Sequence, residues 1–191
     1  MKGLSLDQHK TISLELQNYH DTCQKIALII TRAIPKKHSL FRVACKFDGG
    51  PGSPLFDLRN LLNSIVCKEY PSGGQDIRKM YFYTSHPDYH PPELLPGLPE
   101  QTAKKFTASI KKKTKSLWGR KKQRLTSFEL ACIIHSLHHT GNRIAVIGIG
   151  LMEAYHPDQT PADSVLTVLA ELRNLLSLLQ QELETSLEAQ K

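Results

Sequence analysis

The chain has 191 residues, of which 40% are hydrophobic, and its 25 Lys/Arg and 18 Asp/Glu residues give a formal net charge of +7. This length suits one domain, and the hydrophobic content suffices for a buried core, which excludes a wholly disordered chain. No run approaches the roughly 20 apolar residues of a transmembrane helix, and residues 1–10 lack the apolar centre of a secretory signal, so we expect neither a membrane protein nor a secreted one.

The first predicted element is a helix over residues 6–33. Pro35 ends this helix because its ring blocks the preceding turn. Ser39 is placed to cap a second helical stretch that reaches Phe47. The helix 6–33 is predicted from apolar or small residues that recur at alternating spacings of four and three, namely Ile12, Leu16, Tyr19, Cys23, Ile26, Ile30 and Ala33.

Residues 48–54 interrupt the second stretch, because three glycines and two prolines within seven residues do not continue a helix. The helical pattern resumes near Ser53 and ends by Pro71. The sequence leaves two alternatives open here, one interrupted helix or two short ones.

Residues 71–124 form a long insertion, and its first part is the least regular in the chain. Residues 80–83 are either a short strand or a hydrophobic clasp against the rest of the molecule. A helix is expected to begin at Pro99-Glu100 and to run through Lys115. Six prolines make a regular helix or strand unfavourable in residues 71–99: Pro71, Pro87, Pro91, Pro92, Pro96 and Pro99.

A long helix is predicted over residues 126–155, where Thr126 followed by Glu129 resembles a capping box. A strand over residues 144–150 with a nucleotide-binding turn is the alternative. It is disfavoured because no third glycine follows and the helical pattern continues on both sides. The last helix opens at Thr160-Pro161 and carries a stripe of leucines.

These amphipathic units predict an all-α protein, an up-and-down four-helix bundle that forms a single domain over residues 1–191. The Pro-rich and basic insertion, residues 71–124, lies between its second and third helices. Residues 144–152 are apolar nearly all round, which is more than a four-helix monomer buries. A homo-oligomer would cover the excess.

The excess positive charge lies in residues 101–124, which contain ten basic residues and no acidic one. The remainder of the chain has 15 basic and 18 acidic residues, a net charge of −3. The mutual repulsion of so many cations is usually retained where a polyanion neutralises it, so RNA or DNA is the expected partner. A solvated loop is the alternative. Membrane binding is not expected, because the segment lacks the apolar face that it needs. The ten candidate binding residues are Lys104, Lys105, Lys111, Lys112, Lys113, Lys115, Arg120, Lys121, Lys122 and Arg124.

Trp118 stands in the middle of this basic run. An aromatic ring among lysines and arginines is the arrangement that stacks on an unpaired base while the cations contact phosphates. The alternative is a hydrophobic anchor that, with Leu117, docks the insertion on the bundle. Lys36 and Lys37, in the turn after the first helix, add a smaller second basic patch.

The histidines give little support to an enzyme. His135 and His139 lie one helical turn apart, a spacing found in metal sites, with His138 beside them. No glutamate follows His135 directly and no third ligand is evident, so a metal-dependent enzyme is the weakest hypothesis. The sequence shows no Ser/His/Asp set, no phosphate-binding glycine loop and no paired acids. We therefore expect no catalytic residue, no metal and no cofactor.

The four cysteines form no CxxC pair and occur in apolar or helical contexts. They predict reduced, buried thiols, as expected of a cytoplasmic protein. A zinc site built from them has little support in their spacing. They are Cys23, Cys45, Cys67 and Cys132.

Residues 26–46, and especially Ile30-Thr-Arg-Ala-Ile-Pro-Lys-Lys-His38, resemble the end of the first helix and the first turn of the accessory variability proteins of diversity-generating retroelements. Residues 160–176 resemble the opening of the last helix of that family. The resemblance implies a four-helix bundle that assembles into a homopentamer. It also implies binding to a reverse transcriptase and its template RNA, in support of error-prone cDNA synthesis. The break at 48–54 and the insertion 71–124 depart from the family pattern.

The leading hypothesis is therefore a non-catalytic accessory protein that binds nucleic acid, RNA foremost, together with a reverse transcriptase. The alternative is a helical protein-docking module whose basic insertion binds an acidic partner protein.

Overall fold

The computed structural model describes residues 3–47, 52–74, 77, 79–82, 95–116, 124–155 and 160–190, the side chains of 114–116 and 160–163 excepted. Within these ranges the chain is helical and contains no strand, which confirms the all-α class for this part of the protein. The helices are α1 (Leu6–Ala33), α2 (Ser39–Cys45), α3 (Pro54–Glu69), α4 (Glu100–Ser116), α5 (Ser127–Ala154) and α6 (Thr160–Glu188).

Local sequence determines where the helices begin. A capping box of Ser5 and Gln8 opens α1, and the predicted box of Thr126 and Glu129 opens α5. In each box the hydroxyl accepts from a backbone N–H group that has no partner within the helix. Ser53 caps α3 in the same way, so the stretch from 39 to 69 forms two separate helices, α2 and α3.

The long helices α1, α3, α5 and α6 share one core. Helix α6 packs against α5 and α3, and α1 packs against α5 and α3. The short α2 lies against α1 and α6, whereas α4 lies against α5. None of the helices in the described ranges is both long and apolar enough to cross a membrane. The fully buried side chains at the centre include Leu16, Ile26, Leu58, Leu62, Ile133 and Leu179.

Residues 80–82 form a hydrophobic clasp, so the strand alternative is wrong for this stretch; Tyr83 lies outside the described residues. Tyr81 is 2% exposed. The ring of Phe82 meets the ring of Phe56 edge-on, with 5.8 Å between their centroids. The alternative of a strand over residues 144–150 is also wrong, because they continue α5.

The cysteines are all free thiols, but the expectation that all are buried is wrong at Cys45, which is exposed. Cys45 is the last residue of α2, whose inner face is formed by Leu40 and Ala44. Successive helical residues differ by about 100° in direction, so the residue after Ala44 turns away from the core. Cys23 is buried, and this burial raises the pKa of its thiol to about 12.

Candidate nucleic-acid interface

Helix α4 carries its basic and its apolar residues on different faces. Ala103 and Phe106 are buried, and Ile110 is half-buried against the core. Together with residue 113 they follow at spacings of three and four, so they share the inner face of the helix. The exposed lysines, which we call the lysine face, are Lys104, Lys105, Lys111 and Lys112.

Lys104 and Lys105 of the lysine face have the following contacts within the protein. Lys104 Nζ lies 2.5 Å from Glu100 Oε1, one turn earlier, and both side chains are mostly exposed. Exposed pairs of this kind contribute little to stability, so Lys104 can exchange Glu100 for another anion. Lys105 Nζ lies 5.0 Å from the ring centroid of Phe128 in α5. From 104 to 112 the row of cations is about 12 Å long at 1.5 Å per residue.

Lys113 points the other way and forms an ion pair with Glu129, whose side chain is fully buried. Its ammonium also donates to the carbonyl oxygen of Arg124 at 2.7 Å. Glu129 accepts from the hydroxyl of Ser109 and from the backbone N–H of Thr126, both at 2.7 Å. The structure therefore places the ammonium of Lys113 inside the contact between α4 and α5 rather than on the lysine face.

The hydrogen bonds at Glu129 determine its ionisation. Burial alone would raise the pKa of this carboxyl group. The hydrogen bonds from Lys113, the Thr126 backbone and Ser109 outweigh burial and hold the pKa below its ordinary value. Glu129 is therefore a carboxylate at neutral pH, and it holds Lys113 as its counter-ion.

The remaining members of the basic run are only partly described. Arg124 is exposed at the start of α5. Lys115 occupies the next position of the lysine face in the register of α4, and its side chain lies outside the described part. The structure does not describe Trp118, Arg120, Lys121 and Lys122. Base stacking by Trp118 therefore stays a prediction.

Lys36 and Lys37 are exposed in the turn between α1 and α2. Just after this turn, Ser39 Oγ donates to Glu182 Oε2 of α6 at 2.5 Å. Eight residues after Glu182, Gln190 Nε2 donates to the carbonyl oxygen of Leu125 at 3.0 Å. The second basic patch therefore lies at the same end of α6 as the start of α5.

His135 and His139 lie against the turn at Gly97 that leads into α4. His135 Nε2 donates to the carbonyl oxygen of Gly97 at 2.9 Å. Gly97 has a φ of 81°, and a Cβ placed on it would lie 2.6 Å from Cβ of His139. Both histidines therefore position the residues that lead into α4, while His138 is exposed. In the described ranges, no group of three or more His, Cys, Asp or Glu side chains could hold a metal ion.

A buried polar cluster that the sequence analysis missed lies at the opposite end of α1. His9 is fully buried, with Nε2 2.6 Å from Glu69 Oε2 and Nδ1 2.7 Å from the hydroxyl of Tyr81. Tyr155 donates its hydroxyl to Glu69 Oε1 at 3.0 Å. These four residues, the His9 cluster, join α1, the end of α3, the end of α5 and the clasp at 80–82.

The His9 cluster resembles a catalytic relay in composition but not in ionisation. His9 bonds to Glu69 through Nε2 and to Tyr81 through Nδ1, so both of its ring nitrogens have a partner. Burial, with smaller contributions from Tyr155 and Glu69, raises the pKa of Tyr81. The phenol therefore stays protonated and is not an activated nucleophile. The signal in the sequence was His9 itself, seven residues before Leu16 and so on the buried stripe of α1.

Comparison with known proteins yields no relative: no protein-family model, curated protein or solved structure matches this chain.

Proposed function

We propose that this protein binds nucleic acid through the lysine face of α4 and does so without catalysing a reaction. The observation that carries this proposal is the two-sided character of α4. Four lysines are exposed on one face, while the other face is buried against α5 and held by the Lys113–Glu129 pair. Outside residues 101–124 the chain has a net charge of −3, so these residues supply all of the net positive charge of the chain.

A docked helix suits phosphate binding for a physical reason. Lysine ammonium groups are compact point charges that meet phosphate without reading a base. Fixing α4 on α5 sets their spacing before binding, which lowers the entropy that the complex loses on forming. With about 3.4 Å per nucleotide along one strand, a row of about 12 Å spans three to four phosphates. We therefore expect weak sequence preference and strong dependence on salt.

The narrower parts of the proposal have separate support. For the architecture, we propose an up-and-down four-helix bundle of α1, α3, α5 and α6 with residues 71–124 inserted, because each of these helices contacts two of the others. Free thiols at all four cysteines suit a cytoplasmic location. The resemblance at residues 26–46 and 160–176 supports three further parts of the proposal: RNA as the ligand, a reverse transcriptase as the partner and a homopentamer as the assembly. A reverse-transcriptase gene beside this one, whose product co-purifies with it, would support that role.

The test is a titration of labelled single-stranded RNA and DNA of mixed sequence, followed by fluorescence anisotropy at several salt concentrations. For four phosphate contacts, log K should fall with log salt at a slope of about −3. Replacing Lys104, Lys105, Lys111 and Lys112 together with glutamine should abolish most of the binding and flatten this slope.

The matched control changes the same amount of charge elsewhere. It replaces four exposed lysines outside the basic run, residues 101–124, with glutamine and should retain most of the affinity. Equal losses in the two variants, or wild-type binding that salt does not weaken, would show the proposal to be wrong. Absence of any binding to RNA and DNA would favour the acidic partner protein instead. The four control positions are Lys10, Lys46, Lys68 and Lys79.

A further inference from the structure

The outer face of α5 is covered in its first half and exposed in its second. In the first half, Phe128 and His135 contact α4 and the turn before it. The described contacts of that turn reach no further along α5 than His139. Beyond it, three large apolar side chains project into solvent over two turns: Val146 is 68% exposed, Ile149 56% and Met152 57%. Large apolar side chains grouped in this way on a surface indicate an interaction site.

An open groove of about 620 Å³ runs beside this ridge, between α1 and α5. Its apolar lining includes Leu4, Ile12 and Ile147, and Val146 belongs both to the groove and to the ridge. A surface that carries a ridge next to a groove can fit a second copy of itself, because each ridge then enters the groove of the other copy. Such self-complementary contacts are formed by two-fold symmetry.

The charges on α5 favour one orientation of the two copies. Arg143 and Glu153 are exposed and lie five residues on either side of residue 148. They are about 15 Å apart along the helix at 1.5 Å per residue. If two copies of α5 pair antiparallel about residue 148, Arg143 of each copy meets Glu153 of the other. A parallel pairing would place like charges together.

Arg143 is already bonded to Glu15 across the groove. Its guanidinium group has five N–H donors in a planar fork, so it can bind a second carboxylate as well. Glu15 also lines the groove, so the bond fixes the arginine where the second copy would meet it. One helix face is smaller than the roughly 800 Å² per partner that stable complexes bury, so the α1 side of the groove has to join the contact.

We propose that Val146, Ile149 and Met152, flanked by Arg143 and Glu153, form the interface between two copies of this chain, which pair antiparallel along α5 about a two-fold axis. This inference is independent of nucleic-acid binding. It is an alternative to the homopentamer that the resemblance implies, because a ring of five needs two different surfaces on each copy. A pair of this kind carries two lysine faces, which would raise the affinity for a long nucleic acid.

The first experiment measures the mass of the full chain in solution by light scattering. We expect about 43 kDa, twice the 21.5 kDa of one chain. Ile149→Glu should give the monomer mass, because it places a charge in the apolar contact. The matched control is Leu178→Glu, which changes a leucine on α6 that is 53% exposed and should leave the mass unchanged. Circular dichroism should be the same for both variants, since neither side chain is part of the core.

The second experiment tests the orientation. Ile149→Cys, made in a Cys45→Ser background, should form a disulfide between copies on mild oxidation, because position 149 lies next to the two-fold axis. Leu178→Cys in the same background should not. Glu153→Arg should weaken the pair about tenfold, since it replaces two attractive contacts with repulsive ones.

Three results would overturn the proposal. They are a wild-type chain that stays monomeric at tens of micromolar, a mass of five chains, or a dimer that Ile149→Glu leaves intact.

Discussion

Two buried polar clusters fasten the insertion to the long helices, and they do so with different chemistry. The pair of Lys113 and Glu129 holds α4 on α5 with formal charges, between residues 16 positions apart. The His9 cluster holds the clasp at 80–82 through the hydrogen bond between His9 and the hydroxyl of Tyr81, which lies 72 positions away in the sequence. Removing a charge should therefore damage the first cluster most, and removing a single hydroxyl the second.

The difference also separates the part of the insertion that carries the lysine face from the clasp. Lys113 belongs to the same helix but points inward, and its ion pair with Glu129 keeps the lysine face in place. The clasp at 80–82 contains no charged residue and instead closes one end of the core. The ion pair therefore sets the position of the lysine face, and the His9 cluster holds the clasp on the core.

The largest effect is expected for Glu129→Gln. Glutamine can keep the capping bond to Thr126 but loses the charge that neutralises Lys113. Removing one partner of a buried ion pair costs about 3–5 kcal/mol, and we expect the lower end because Lys113 retains the carbonyl oxygen of Arg124. Urea unfolding monitored by circular dichroism would measure the loss. Lys113→Met combined with Glu129→Leu should recover most of it, because the pair is then replaced by apolar side chains.

The pH dependence of the same variant checks the mechanism. The pKa of Glu129 is lower in the folded protein than in the unfolded chain, where a glutamate titrates at about 4.3. The contribution of the pair is therefore complete above that pH and is lost as the pH falls through the folded value. The stability difference between wild type and Glu129→Gln should be constant at neutral pH and shrink on acidification below about pH 4.3. A difference independent of pH would contradict the assigned role of the carboxylate.

Gly97→Ala should have the next largest effect and tests the other attachment of α4. An alanine at a φ of 81° is strained, and its Cβ would lie 2.6 Å from Cβ of His139. Strain and displacement together should cost about 2 kcal/mol in the free energy of unfolding. Gly74→Ala is the control, because a Cβ there meets no atom within 4 Å and the φ of Gly74 is not positive. Equal losses in the two variants would show that the turn does not need glycine.

Local features of this sequence predicted most helix bounds well. The stripe and Pro35 place α1 at its observed bounds, and α4 begins after Pro99 as expected. The expectation that Ser39 caps α2 is wrong, because His38 is the capping residue and Ser39 is the first residue of the helix. These signals depend on residues a few positions apart, which already interact within an isolated helix. The sequence does not distinguish the clasp from a strand, because a strand and a buried turn contain the same aromatic residues.

The direction of individual side chains was harder to predict. Lys113 follows Ile110 by three positions, which places it on the inner face of α4, but its partner Glu129 belongs to another helix. Counting charges treats Lys112 and Lys113 alike, although only one of them is exposed. His9 gave a usable signal from its place on the stripe of α1. Its partners could not be inferred, because they come from the ends of helices far apart in the sequence.

The smallest effect of the three is expected for Tyr81→Phe, which tests the His9 cluster. The substitution keeps the ring and removes the hydroxyl, so Nδ1 of His9 is left buried without a hydrogen-bond partner. A lost partner of this kind costs about 1–2 kcal/mol. Because burial raises the pKa of Tyr81, the hydroxyl stays a donor in mild alkali, and the loss should be the same at pH 7 and pH 9. Tyr155→Phe is the comparison variant and should cost less, since Glu69 keeps its bond to His9. A loss for Tyr81→Phe that disappears at pH 9 would mean that the phenol ionises, and the His9 cluster would then have to be considered as a reactive site.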